Sequence, residues 1–150
     1  MKITYKGDYA LKAILDLSYQ FNSGKVTPLS DISKRQDIPE KYLEQIMLIL
    51  KRAGYVKSKR GIGGGFLLLK PPNAVTVGEI VRLIEGPVEP IACGDAAYNG
   101  CGEETTCAFR EIWLKVTHAI NGIVDTVTFE QIMKRSDELQ GKHNSHTYQI

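Results

Sequence analysis

Apolar residues recur at helical spacing along most of the chain and switch to strand-like alternation at one place, so the pattern itself suggests a helical protein with a single hairpin. After Asp8, which reads as a cap, Ala10, Ile14, Leu17, Ser18 and Phe21 fall on one side of a first helix that stops at Asn22-Ser23-Gly24. A short second helix opens at Thr27-Pro28, with Pro28 in the first turn, where its missing N–H costs nothing. Leu29, Ile32 and Ser33 turn inward, and this helix ends near Gln36-Asp37. The third helix runs from about Pro39 to Ala53 and is closed by Gly54. Leu43, Ile46, Met47 and Leu50 form its apolar stripe, and Glu40, Lys41, Glu44 and Gln45 its outer face. That succession is a helix-turn-helix pattern.

Alternation then takes over in Tyr55-Val56-Lys57-Ser58-Lys59-Arg60. The glycines of Gly61-Ile62-Gly63-Gly64-Gly65 turn the chain, and Phe66-Leu67-Leu68-Leu69 returns as a second strand. The result is a hairpin with a basic tip, the wing of a winged helix. Thr76-Val77-Gly78-Glu79 is a capping box that opens a helix through Leu83-Ile84. A loop rich in Gly and Pro follows, and a long helix begins near Thr105. Phe109, Ile112, Val116, Ala119, Ile120, Ile123 and Val127 line one side of it over roughly five turns, on the order of 30 Å. A stripe that long predicts a helix-to-helix seam between two copies, against the plainer reading of a long core helix. Thr128-Phe129-Glu130 caps a last short helix. The predicted fold is mainly α with a small β-hairpin wing: a winged helix-turn-helix over 1–85, a cysteine-bearing loop over 86–107, a dimerisation helix and short terminal helix over 105–135, and a flexible tail over 136–150.

A hydrophobic content of 43% suffices for a packed core. The apolar runs are too short to span a bilayer, and the N-terminus has no apolar segment of a signal peptide, which together predict a cytoplasmic protein. Net charge is only +2, but it is unevenly placed. Residues 34–70 hold nine Lys and Arg against three acids, whereas residues 71–140 hold five against eleven. One half of the chain suits a polyanion and the other does not.

The outward residues at the start of the third helix, Lys41, Glu44 and Gln45, are placed to reach base edges in a major groove. Gln pairs with adenine, Glu accepts from the cytosine amino group, and Lys reaches guanine or phosphate. Arg60 precedes the wing glycines and can enter a minor groove or clasp phosphate, with Lys57 and Lys59 as phosphate contacts. The glycine run is not a nucleotide loop, because it leads into a strand and no Lys-Ser/Thr follows. No nucleophile–base arrangement supports an enzyme.

Cys93, Cys101 and Cys107, spaced C-x7-C-x5-C among Gly94, Gly100 and Gly102, are the only cysteines. Their glycine-rich setting permits convergence, and Cys107 lies where a helix N-terminus favours thiolate. The spacing fits no standard zinc finger. It leaves open an iron–sulfur cluster, a thiol redox switch, or three unrelated cysteines. The ending Thr147-Tyr148-Gln149-Ile150 offers an aliphatic C-terminal carboxylate of the kind that docks to an enzyme partner; the plainer reading is a polar tail that also carries His143 and His146.

Taken together, these residues resemble the Rrf-type winged-helix regulators, the group that includes IscR, NsrR and RirA. The resemblance spans roughly residues 1–135. It is carried by Met1-Lys2-Ile3-Thr4 with Gly7-Asp8-Tyr9-Ala10, Asp31-Ile32-Ser33, Tyr42-Leu43-Glu44-Gln45-Ile46, Arg60 through Phe66, Val77-Gly78-Glu79-Ile80 and the cysteine triplet. It implies a homodimer with crossed long helices that binds double-stranded operator DNA, with Lys41, Glu44, Gln45 and Arg60 at DNA-contacting positions. It further implies a 2Fe-2S or 4Fe-4S cluster on Cys93, Cys101 and Cys107, whose response to iron, nitric oxide or oxidants changes operator affinity. The cysteine spacing is nearer to RirA-like members. Arg110 stands where IscR-like members place a histidine ligand, and NsrR-like members point to Asp8 of the partner subunit as the fourth ligand.

Overall fold

The helix-turn-helix pattern folds as three helices, α1 (Tyr5–Gln20), α2 (Leu29–Gln36) and α3 (Glu40–Arg52). The computed structural model describes residues 2–146, with side-chain surroundings for residues 2–141. The predicted stripes meet in one core: Ala10, Ile14 and Leu17 of α1, Ile32 of α2, and Leu43, Ile46, Met47 and Leu50 of α3 are all buried. Gly24 ends the first helical segment in the left-handed region, and Asp37 ends α2 there as well, at φ 52°. Pro28 and Pro39 are the residues just before α2 and α3, so each sets the chain direction where no helical N–H is needed.

The start of α1 departs from the sequence reading. Asp8 does not cap the helix. It lies inside the first turn, with its amide already bonded to the Thr4 carbonyl at 3.0 Å and its carboxylate paired with Lys12 at 2.8 Å. The orphan amides are served from elsewhere, by Glu85 at the end of α4 (Val77–Glu85). One Glu85 carboxylate oxygen accepts from the Thr4 amide at 2.9 Å, the Thr4 hydroxyl at 2.7 Å and the Gly7 amide at 3.0 Å. A Cβ at residue 7 would stand 2.3 Å from that oxygen, which is why glycine occupies the position. These hydrogen bonds, Thr4 first, hold the Glu85 carboxyl below the usual carboxylate range. The tether therefore stabilises the fold fully above the unfolded value, about pH 4.3, and is lost as pH falls through the lower folded value. Replacing Glu85 by alanine is expected to cost about 1–2 kcal/mol, the magnitude of a lost N-cap, read as a drop in melting temperature at pH 7 that shrinks in acid.

The hairpin consists of β1 (Val56–Lys59) and β2 (Gly65–Leu68), antiparallel, with Val56 opposite Leu68 and Lys59 opposite Gly65. Thr27 adds a third, single-residue edge, exchanging two backbone hydrogen bonds of 2.8 Å with Phe66. The capping box forms as predicted, with Thr76 and Glu79 bonding reciprocally at the start of α4.

The long helix is α5 (Ala108–Val124), somewhat shorter than its apolar pattern suggests. Val127 lies beyond it, and its carbonyl accepts the Val77 amide at 2.9 Å. α6 (Phe129–His146) is not short: it has 18 residues and extends through much of the segment expected to be a flexible tail. A Thr128–Gln131 reciprocal cap starts it, and Glu130–Lys134 and Arg135–Glu138 pairs line its surface. The Tyr19 hydroxyl ties it to α1 through the Asp137 carboxylate at 2.9 Å. Phe129 is 1% exposed and belongs to the same core as α1–α4, so the expected boundary between residues 1–85 and 105–135 is bridged by a core side chain. Thr147–Ile150, the expected docking segment, lies outside the described residues. Among the described residues, no helix is long and apolar enough to cross a membrane.

Candidate nucleic-acid interface and cysteine loop

The burial of Leu43, Ile46, Met47 and Leu50 turns the opposite side of α3 outward, leaving Lys41, Glu44 and Gln45 exposed at its N-terminal end. Tyr42, which the sequence reading named only within the run that carries the resemblance, is exposed beside them at 61%. Tyr42 and Gln45 are three residues apart on one helix face. Together with Tyr5, Lys6, Tyr9 and Ile46 they line a concavity of about 410 Å³ between α3 and the start of α1. Lys6 adds a positive charge to this wall.

On the wing, alternation sends Val56 inward and leaves Lys57 and Lys59 exposed. Arg60 follows at the exposed turn, where Gly61 and Gly63 take left-handed conformations. The turn is closed by the Gly64 amide bonding to the Gly61 carbonyl at 2.9 Å. All six predicted DNA residues therefore lie at the surface of one folded unit, three on α3 and three on the wing.

The orientation of α2 against α1 is set by a buried carboxylate. The Asp16 side chain is 5% exposed and accepts a forked pair of hydrogen bonds from Arg35, Nε at 2.9 Å and Nη2 at 2.8 Å. Gln36 donates a third at 3.1 Å. Arg35 thus counts toward the basic segment in sequence but serves as an internal tie between helices. Its partner was missed because a lone aspartate in an amphipathic pattern looks like a solvent-facing residue.

The cysteine loop connects α4 to α5. Cys107 is the N-cap residue of α5, as its sequence position suggests, with no side-chain bond to the first turn. All three cysteines are free thiols, Cys101 exposed, Cys93 and Cys107 half-buried. A short 3-10 turn (Ala92–Gly94) packs Gly94 against α5, so closely that a Cβ there would stand 2.8 Å from the Thr117 hydroxyl. Among the described residues, no three His, Cys, Asp or Glu side chains are grouped so that they could hold a metal ion. Three thiols are chemically suited to iron. Among the described residues the loop does not group the three of them as a ligand set.

A winged helix-turn-helix, an appended long helix and a three-cysteine loop can be compared with known proteins as a whole. The family model for Rrf2, described as an iron-dependent transcriptional regulator, matches residues 3–135. The chain belongs to the Rrf2 family. It is 33% identical over 148 residues to the HTH-type transcriptional regulator IscR of Escherichia coli O1:K1, covering 99% of this chain and 90% of that protein. Among solved structures, T. potens IscR superposes with a TM-score of 0.74 at 33% identity, covering 93% of this chain and 91% of the other. CymR (YrzC), the global cysteine regulator of B. subtilis, gives a TM-score of 0.75 at 33% identity, covering 90% and 98%. Members of the Rrf2 family with these names are transcription regulators rather than enzymes, and the winged helix-turn-helix of this chain is the fold they share.

Proposed function

We propose that this Rrf2 regulator binds operator DNA as a cytoplasmic homodimer, acts as a repressor by occupying that site, and changes its affinity with the state of its three-cysteine loop. The observation that carries the DNA reading is the surface placement of Lys41, Glu44 and Gln45 on α3 beside the basic wing of Lys57, Lys59 and Arg60. A second copy of the chain is the partner that α5 suits. Only Thr117 of this helix is buried, whereas Phe109, Ile112 and Ile123 stand 67%, 51% and 65% exposed along one side. Pairing two such stripes removes them from water and sets two recognition helices to read two half-sites about one DNA turn apart.

The sensing reading is an iron–sulfur cluster on Cys93, Cys101 and Cys107, with Asp8 of the partner subunit as a fourth ligand. It is supported by the thiol donor chemistry and by the family's description as iron-dependent. When bound, the cluster supplies a group whose occupancy changes with iron or oxidant. A second reading, in which the cysteines act without metal as a redox switch, is supported by their being free thiols and by the likeness to CymR, the global cysteine regulator. Anaerobic purification followed by iron and sulfide assays and a visible spectrum separates the two. The cluster reading expects a coloured protein that loses iron and sulfide in Cys93→Ala, Cys101→Ala or Cys107→Ala, and a faster loss of colour in Asp8→Asn. A colourless, iron-free protein whose DNA affinity still changes on thiol oxidation would establish the second reading. A DNA affinity indifferent to both would remove the sensing role.

A further inference from the structure

One side chain reaches both of the segments that separate the three thiols. Arg110, in the first turn of α5, is 19% exposed, and its Nη2 donates to the carbonyls of Ala96 at 3.4 Å and Tyr98 at 3.2 Å. Both acceptors lie between Cys93 and Cys101. Its Nη1 donates to the Glu104 carbonyl at 3.4 Å and stands 3.8 Å from the Glu104 carboxylate, between Cys101 and Cys107. The Glu104 carboxylate in turn accepts the Cys101 amide at 3.4 Å.

These contacts are long for a guanidinium, whose charge-assisted hydrogen bonds usually lie at about 2.7–2.9 Å. The Arg110 Nε is enclosed without a partner, and so is the Thr117 hydroxyl where Gly94 packs on α5. Two of the places where the loop meets the helix therefore hold a buried polar atom without a protein partner. Native structures keep few such atoms, so the protein contacts alone leave these two groups unsatisfied. A segment held this way belongs to the low-stability part of a fold, able to open while the core stays closed.

We propose that Arg110, with Glu104, is a clasp that holds the cysteine loop in an arrangement where the three thiols are not grouped as a ligand set, and that opening this clasp is the step that lets them converge. Arg110 is a positioning residue: it has no lone pair to offer a metal, and it acts on the thiols through the loop backbone. The inference rests on the sensor reading above for its biological meaning, but not for its geometry.

The test uses the full-length, metal-free, reduced protein and two readouts. Amide hydrogen exchange follows the segment Ala96–Glu104. Diamide serves as a convergence probe: it takes two electrons and two protons from two thiols, leaving one disulfide and the reduced hydrazine. Arg110→Ala is expected to speed both loop exchange and intramolecular disulfide formation by roughly tenfold, with exchange in α1–α3 unchanged. Arg110→Lys keeps the charge but not the fork and should fall between. It also carries the test if the alanine variant loses helix content. Unchanged exchange and disulfide rates, or slower disulfide formation, would overturn the clasp. A wild-type protein whose DNA affinity ignores its thiols would instead defeat the sensor reading and leave the clasp to be judged by exchange alone.

Discussion

Gly65→Ala is expected to cost about 3 kcal/mol in urea unfolding and to weaken binding to every DNA sequence, because it forces the wing off the helical core. An added Cβ would stand 2.2 Å from the Thr27 carbonyl oxygen, 2.5 Å from its carbon and 2.7 Å from the Pro28 nitrogen. All three are backbone atoms, held by the paired Thr27–Phe66 hydrogen bonds, and cannot swing aside as a side chain would. Gly63→Ala is the matched control. It has a left-handed φ of 71° but nothing within 4 Å, so it pays only conformational strain of about 1–2 kcal/mol. A Gly65 variant no less stable than the Gly63 variant would show that the Thr27 bridge does not anchor the wing.

Arg35→Ala has the second large expected effect, about 2–3 kcal/mol. Removing the guanidinium leaves the Asp16 carboxylate buried with Gln36 as its remaining side-chain partner. Breaking a buried ion pair typically costs about 3–5 kcal/mol, and the figure is reduced here because Arg35 itself is half exposed. Asp16→Asn leaves no buried charge behind, so the double variant Asp16→Asn with Arg35→Ala should be more stable than Arg35→Ala alone. Simple addition of the two losses would contradict the assignment of Asp16 as the buried charge. The same variants should weaken DNA binding, since the Asp16–Arg35 tie sets α2, and with it α3, against α1.

These two predictions mark where sequence stopped being sufficient. Helix α3 was readable because Leu43, Ile46, Met47 and Leu50 repeat at the helical period, which leaves Lys41, Glu44 and Gln45 outside by geometry. The wing was readable because alternation and a glycine run have few other meanings. Local signals of this kind also found the Thr76–Glu79 cap. Contacts between distant segments carry no such periodic mark. Glu85 serves the start of α1 from about eighty residues away, Asp16 and Arg35 join two helices, and Phe129 enters a core assigned to residues 1–85. α6 was underestimated for a different reason: its polar composition resembled a tail, although reciprocal capping and spaced ion pairs support a helix and Tyr19 docks it. The cysteines illustrate the same limit. Their spacing shows that they share a loop, while the Arg110 contacts that decide whether the thiols meet come from a neighbouring helix.

The central claim is that α3 reads DNA through Gln45 and its neighbours. Selecting duplexes from a randomised library with wild-type protein and Gln45→Ala in parallel tests it most directly. Wild type is predicted to enrich an inverted repeat with half-sites about one helical turn apart. The variant should enrich the same repeat with one position in each half-site degenerate, and bind the wild-type sequence about 1–3 kcal/mol more weakly. An identical motif from both proteins, or no enriched sequence from wild type, would contradict the account.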